Sequence, residues 1–142
     1  SVTMELGVYS RIFTPLFAAI FNLCAEIYGG QYYMEGGIKL LSYPELARDG
    51  DRLLPYIWES RNVQKLIQRA SPEQTTIFIG KENQCEELQN SSAVITPFAI
   101  GNRSTGSIGI IGPIRMDYAA MVAETEYFAR LVGELLTEIF EE

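Results

Sequence analysis

Arg115 and Asp117 flank Met116 just after Gly112-Pro113-Ile114, and Arg115 with Glu82-Asn83 opposite is the set best suited to gripping a ligand. A guanidinium presents a planar fork of donors that matches a carboxylate or phosphate, and Glu82 and Asn83 would add hydrogen bonds from the opposite side. The same residues have a structural use, which the pattern favours. Asp117 is placed to cap a following helix, and Arg115 would pair with Glu82 or Asp117 to pin the loop. Gly101, Gly106, Gly109 and Gly112 suggest a phosphate cradle only superficially. A cradle needs amides turned inward at a helix N-terminus, usually with a Lys-Ser or Lys-Thr after the glycines, and no such lysine follows here. Ser91-Ser92 lacks both the Gly-x-Ser-x-Gly setting and a histidine to activate it.

Histidine is absent from the chain, which removes the commonest general base and metal ligand. Cys24 and Cys85 match no ligand spacing and read as two thiols in a reducing cytoplasm. We therefore expect no catalytic, cofactor-binding or metal-binding residues and no enzymatic activity. The chain has 142 residues, 47% hydrophobic and 20% charged, enough for one domain with its own core. Its net charge is −7, and residues 117–142 carry most of it, with seven acids against Arg130. An acidic surface releases no counterions from DNA, so this chain is not expected to bind nucleic acid itself. The most apolar run, Ile12 to Ile27, is broken by Thr14, Asn22 and Glu26 and is too short to span a bilayer. No signal peptide is evident, and a cytoplasmic location away from membranes is expected.

The elements that must position these residues can be read from periodicity and punctuation. Thr14-Pro15 followed by Leu16 to Tyr28 reads as a helix with Pro15 in its first turn and Gly29-Gly30 as its stop. It is apolar on more than one face, so a core helix and a dimer helix fit equally. Gln31 to Met34 reads as a short strand, and Gly36 to Leu46 as a turn and a helix broken by Pro44. Asp51 is expected to cap a helix from Arg52. The apolar stripe falters at Glu59 to Asn62 and resumes at Val63, which fits two short helices or one bent one. Tyr56, Ile57 and Trp58 form a bulky cluster, core if buried and a partner anchor if exposed. Thr75 to Gly80 is β-branched and reads as a strand, with a loop over Glu82 to Gln89.

Ser91 to Ile100 and Thr105 to Ile111 read as strands joined through Gly101 to Ser104. The second is apolar on both faces, as a central strand would be. Gly112-Pro113 ends it, because proline has no amide proton to extend the ladder. Asp117 to Glu141 carries Tyr118, Met121, Thr125, Phe128, Val132, Leu135 and Ile139 at three- and four-residue steps and predicts the longest helix. Glu126 and Arg130 are ordered as an i,i+4 ion pair, worth about 0.3 kcal/mol. The sum is an α+β chain, an antiparallel sheet with helices packed on it.

Three blocks of this sequence give it a family resemblance. The first is Tyr33-Met34-Glu35-Gly36 with Pro44-Glu45-Leu46; the second is Ile79-Gly80-Lys81-Glu82-Asn83 with Ser91 to Ile95; the third is Gly109-Ile110-Ile111-Gly112-Pro113-Ile114-Arg115-Met116-Asp117-Tyr118. In this order, over residues 32–136, they resemble the HrcA heat-inducible transcription repressors. The resemblance implies a GAF-like antiparallel sheet flanked by helices, with a long C-terminal helix. It implies a parent protein that binds the CIRCE inverted-repeat operator of chaperone operons through an N-terminal winged-helix domain, forms a homodimer and is modulated by the GroE chaperonin. Nothing in this chain resembles the winged-helix domain, and Ser1 replaces an initiator methionine, so the chain reads as a C-terminal fragment that meets DNA only through the missing part. Residues 1–30 then form a helical segment, a candidate part of a dimerising insert, and 31–142 the C-terminal part of the GAF-like domain. The alternative is a GAF-like small-ligand sensor. Under either reading Gly80, Glu82, Asn83, Gly109, Gly112, Pro113, Arg115, Met116, Asp117 and Tyr118 are the family-defining residues, structural or in contact with a ligand, and no cofactor is implied.

Overall fold

A computed structural model describes residues 17–22, 32–35, 43–48 and 50–140. Five strands form one antiparallel sheet: β1 (Phe17–Asn22), β2 (Tyr32–Glu35), β3 (Thr76–Ile79), β4 (Ser91–Ile100) and β5 (Arg103–Pro113). Their order is β2-β1-β5-β4-β3, which places β5 at the centre. Its apolar residues on both faces have this cause, since a central strand is covered on each side. Helices α1 (Pro44–Ala47), α2 (Gly50–Trp58) and α3 (Ser60–Arg69) precede β3, and α4 (Tyr118–Phe140) closes the chain.

Residues 17–22 correct the helix expected over Leu16 to Tyr28. They are a strand, paired with β5 from Phe17↔Ile111 to Asn22↔Gly106 and with β2 on the other side. A run that is apolar in every direction looks the same whether it is a buried helix or a buried strand. Here pairing on both edges decides the matter, because it satisfies both rows of backbone groups. The rest of that expected helix, with Cys24 and Gly29-Gly30, lies outside the described residues. Asp51 is also corrected: it sits within the first turn of α2, which already begins at Gly50.

The faltering stripe at Glu59 is a true break. Glu59 is extended and separates α2 from α3, and its carboxylate accepts from the Arg61 amide at 3.5 Å. Between β3 and β4 the chain makes two short 3-10 turns, Gly80–Asn83 and Glu86–Leu88. The β4–β5 connection is tighter than expected, because Arg103 and Ser104 pair with Ile100 and Ala99 and leave Gly101-Asn102 as the turn. Gly101 takes φ +62°, the left-handed conformation such a turn needs.

Strand alternation sends successive residues to opposite faces, and each face has a core of its own. On one face Phe78, Ala93, Ile95 and Ile111 pack with Leu53, Ile57, Val63 and Leu66 of α2 and α3. On the other, Phe98, Ile108 and Ile110 pack with Phe128, Ala129 and Val132 of α4. The predicted stripe of α4 is buried at Thr125, Phe128 and Val132 but runs out at Ile139, which is 49% exposed. The ion pairs among the described residues are Arg52–Glu86, Arg61–Glu59 and Arg115–Glu45; the expected Glu126–Arg130 pair is not one of them.

Candidate functional site

The residues singled out from the sequence meet where β4 begins and β5 ends. Gly112 pairs with Ser92 and Pro113 with Ser91, so the last bonds of the hairpin bring the second and third blocks side by side. Gly109 lies farther along β5, opposite Ile95 on one side and Ala19 on the other.

Asn83 is the centre of the second block. It is 2% exposed, and its side-chain amide donates to the carbonyls of Gly80 at 3.0 Å, Leu88 at 3.2 Å and Ser91 at 3.1 Å. One side chain thereby ties both 3-10 turns to the start of β4. Glu82 turns back, and its Oε1 accepts from the Ile79 amide at 2.7 Å. Gly80 has φ +58°, and a Cβ there would lie 3.1 Å from the Gln89 carbonyl oxygen and 3.4 Å from Ile114 Cδ1. Glycine is needed for the dihedral and for this approach.

The third block is held from the other side of the hairpin. The Tyr118 hydroxyl donates to the Ile114 carbonyl. Its single proton is thus committed, so Ser92 Oγ is the donor in the 2.7 Å contact between the two hydroxyls. Met116 packs against the core beneath α4. Asp117 caps that helix, its Oδ1 accepting from the Ala120 amide at 3.1 Å. Removing the cap in Asp117→Ala will lower stability by about 1 kcal/mol, seen as a shift of the urea midpoint with unchanged slope.

Arg115 does not do what the sequence suggested. It pairs neither with Glu82 nor with Asp117; its guanidinium meets Glu45 of α1 at 3.1 Å, with the arginine side chain 89% exposed. Exposed pairs of this kind stabilise by about 0–1 kcal/mol. A shallow depression of about 690 Å³ beside it is lined by Arg48, Gln89, Asn90 and Ile114 among others, and Glu82 and Asn83 do not line it. The opposed donors imagined for a bound anion are therefore not brought together.

Sequence reasoning missed Arg69. Its guanidinium donates to the carbonyls of Asn83 at 2.7 Å and Glu82 at 2.5 Å and stands 4.6 Å from the centroid of the Phe78 ring. The only signal was a basic residue in the last turn of an amphipathic helix, with nothing to indicate what it would reach. Trp58 is 55% exposed, the partner-anchor case, whereas Tyr56 is half-buried. Burial, and then a hydrogen bond with Cys85, raise the Tyr56 phenol well above its ordinary pKa, so it stays protonated through the physiological range. Among the described residues no group of three or more potential ligands could hold a metal ion, and no helix is long and apolar enough to cross a membrane.

An antiparallel sheet flanked by helices, closed by a long C-terminal helix, is a GAF-like α+β fold. The family described as HrcA protein C terminal domain matches residues 2–122, and the chain belongs to that family. Similar proteins include the heat-inducible transcription repressor HrcA of Acetivibrio thermocellus, 28% identical over 137 residues, covering 94% of this chain and 39% of the relative. The same-named protein of Bacillus pumilus is 31% identical over 144 residues, covering 99% of this chain and 42% of the relative. That of Syntrophobacter fumaroxidans is 35% identical over 111 residues, covering 75% and 32%. The chain thus spans well under half the length of the curated relatives it matches. Among solved structures, one described as a hypothetical protein at 2.2 Å resolution aligns with TM-score 0.63 and 21% identity, over 75% of this chain and 32% of that one. The E. coli DhaR(N)–DhaL complex aligns with TM-score 0.58 and 19% identity, over 96% of this chain and 46% of the other.

Proposed function

We propose that this chain is the regulatory and dimerising region of a heat-inducible transcriptional repressor of chaperone operons. The observation that carries the reading is family membership across residues 2–122, with relatives that bear that name. In this reading residues 31–142 are the C-terminal part of the GAF-like domain, and DNA is met by a winged-helix domain N-terminal to this chain. The acidic balance of −7 supports that division of labour, since phosphate contacts need cations. A two-fold dimer would set the spacing of two DNA-binding domains on the CIRCE palindrome, because both half-sites must be reached at once. The GroE chaperonin would favour the DNA-competent form, which requires that it bind that form more tightly than the other. The family-defining residues act in this reading as a clamp. Asn83, Tyr118 and Asp117 hold the turns, the hairpin end and α4 in one register.

The test uses the complete repressor. In a mobility-shift assay it should retain an inverted-repeat operator, with apparent affinity rising on addition of chaperonin and falling when unfolded protein competes for the chaperonin. Light scattering should give twice the monomer mass across a dilution series. Unchanged operator affinity with and without chaperonin would remove the chaperonin from the proposal. A monomer that still binds the palindrome would remove the dimer.

A further inference from the structure

Asn83 and Ser91 lie buried where the two 3-10 turns meet the start of β4, 2% and 1% exposed. Each keeps one side-chain polar atom with no hydrogen-bond partner in the protein, Asn83 Oδ1 and Ser91 Oγ. Buried polar groups are nearly always paired, with protein or with ordered water, so an orphan calls for a cause. Two orphans on adjoining residues call for a common one. The residues adjoin because Asn83 Nδ2 donates to the Ser91 carbonyl at 3.1 Å.

Donor and acceptor capacity fixes what would suit the pair. The two N–H groups of the Asn83 amide are engaged by the carbonyls of Gly80, Leu88 and Ser91, while its oxygen keeps two free lone pairs. Oδ1 therefore needs a donor. Ser91 Oγ both donates and accepts, and no protein group uses either capacity. Strand alternation turns Ser91 to the sheet face of Ala93 and Ile95. Ser92 points the other way, and its hydroxyl is engaged there with Tyr118.

We propose that Asn83 Oδ1 and Ser91 Oγ hold one internal water molecule, a fixed member of the clamp that ties both turns to β4. The water donates one proton to Asn83 Oδ1. It makes its second bond with Ser91 Oγ, whose hydroxyl rotates to suit. One water links oxygens up to about 5.5 Å apart, two hydrogen bonds end to end.

Three observations select water as the occupant. The site is closed to larger molecules, since both residues are buried and the depression beside Arg115 is lined by Gln89 and Asn90 but not by Asn83 or Ser91. Both side chains are neutral, and two neutral oxygens do not offset the cost of burying a cation. Immobilising one water also costs less than leaving two buried groups unpaired. Ser91 is then a positioning residue. Through the water it holds the amide by its oxygen end, so the plane that aims two N–H groups at three carbonyls does not turn.

The direct test is a high-resolution crystal structure of this chain. It should show an isolated density peak within about 2.6–3.2 Å of both oxygens. In solution, oxygen-17 relaxation dispersion should count one long-lived water fewer in Ser91→Ala than in wild type. Ser92→Ala, altered on the opposite face, should leave that count unchanged. The urea midpoint gives an independent sign. With the water in place, Ser91→Ala takes a partner from it, and the midpoint falls with unchanged slope. Were Ser91 Oγ an unhydrated orphan, the same change would remove a desolvated hydroxyl and the midpoint would rise. A direct bond between the two oxygens, no density between them, or a peak that refines as a cation would each overturn the proposal. So would an unchanged water count or a raised midpoint in Ser91→Ala. The wild-type density decides even if that variant fails to fold.

Discussion

Asn83→Ala is expected to lower the stability of this chain by about 3 kcal/mol, more than any surface change in the same loop. The two N–H groups of the Asn83 amide are shared among three buried carbonyls, from Gly80, Leu88 and Ser91. Alanine leaves those acceptors without their donor in a site that is 2% exposed, and each buried group left unpaired costs about 1–3 kcal/mol. A smaller term runs the other way. Asn83 Oδ1 and Ser91 Oγ have no protein hydrogen-bond partner, so deleting the side chain also removes one desolvated oxygen. That relief is one oxygen against two N–H donors shared among three carbonyls, and the loss prevails. Asn83→Asp is the sharper variant, because it turns a carboxylate oxygen toward the same carbonyls and replaces attraction by repulsion. Urea unfolding followed by circular dichroism should rank wild type above Asn83→Ala and Asn83→Asp lowest. If Asn83→Ala unfolds within about 0.5 kcal/mol of wild type, the size of a neutral surface change, the amide is not what holds the two turns to β4.

The second large effect is expected at Gly133, where helix propensity and packing oppose each other. Glycine in a helix interior is about 1 kcal/mol worse than alanine, so on propensity alone Gly133→Ala should stabilise α4. Packing reverses the sign. The added Cβ would stand 2.6 Å from the Ala99 carbonyl oxygen, a backbone atom that cannot swing away as a side chain would. Overpacking a tight core costs about 1–3 kcal/mol, so Gly133→Ala should come out roughly 1 kcal/mol less stable and Gly133→Val about 3. Because α4 must lift from β4, the Gly101–Thr137 hydrogen bond at its far end should loosen as well. Thermal melts give the stabilities, and exchange of the Gly101 amide reports the loosening. A Gly133→Ala protein more stable than wild type would show that α4 has room to move and that the close approach is incidental.

Much of the second half of this fold is legible because its signals are local. The strand ending at Gly112-Pro113, the cap at Asp117 and the stripe of α4 each depend on residues within a few positions of one another. The helix break at Glu59 is likewise visible as a gap in the stripe. What could not be read depends on distant partners. Phe17–Asn22 looks helical alone and becomes a strand because β5 and β2 pair with it. Arg115 has acids nearby in sequence yet meets Glu45, 70 positions away. Asn83 stands out in the sequence as a hydrogen-bonding candidate opposite Arg115 and through the family resemblance, but not as a tie between turns. Nothing in its neighbours announces that an amide will gather carbonyls from two turns and a strand. Arg69 was invisible for the same reason, since its partners are backbone atoms that any sequence would offer.

The central place of β5 also has a consequence in time. Phe17 pairs with Ile111 and Asn22 with Gly106, so the two strands of this ladder are 94 to 84 positions apart along the chain. At a synthesis rate of about 5–20 residues per second, β1 leaves the ribosome roughly 5–20 s before the strand that covers it. In that interval the edge destined for β5 offers unpaired backbone groups to whatever strand comes near. The β4–β5 hairpin, closed by its own two-residue turn, needs no such wait. Newborn copies of this protein therefore have an early strand waiting for its neighbour, and dense synthesis raises the chance that the neighbour comes from another chain.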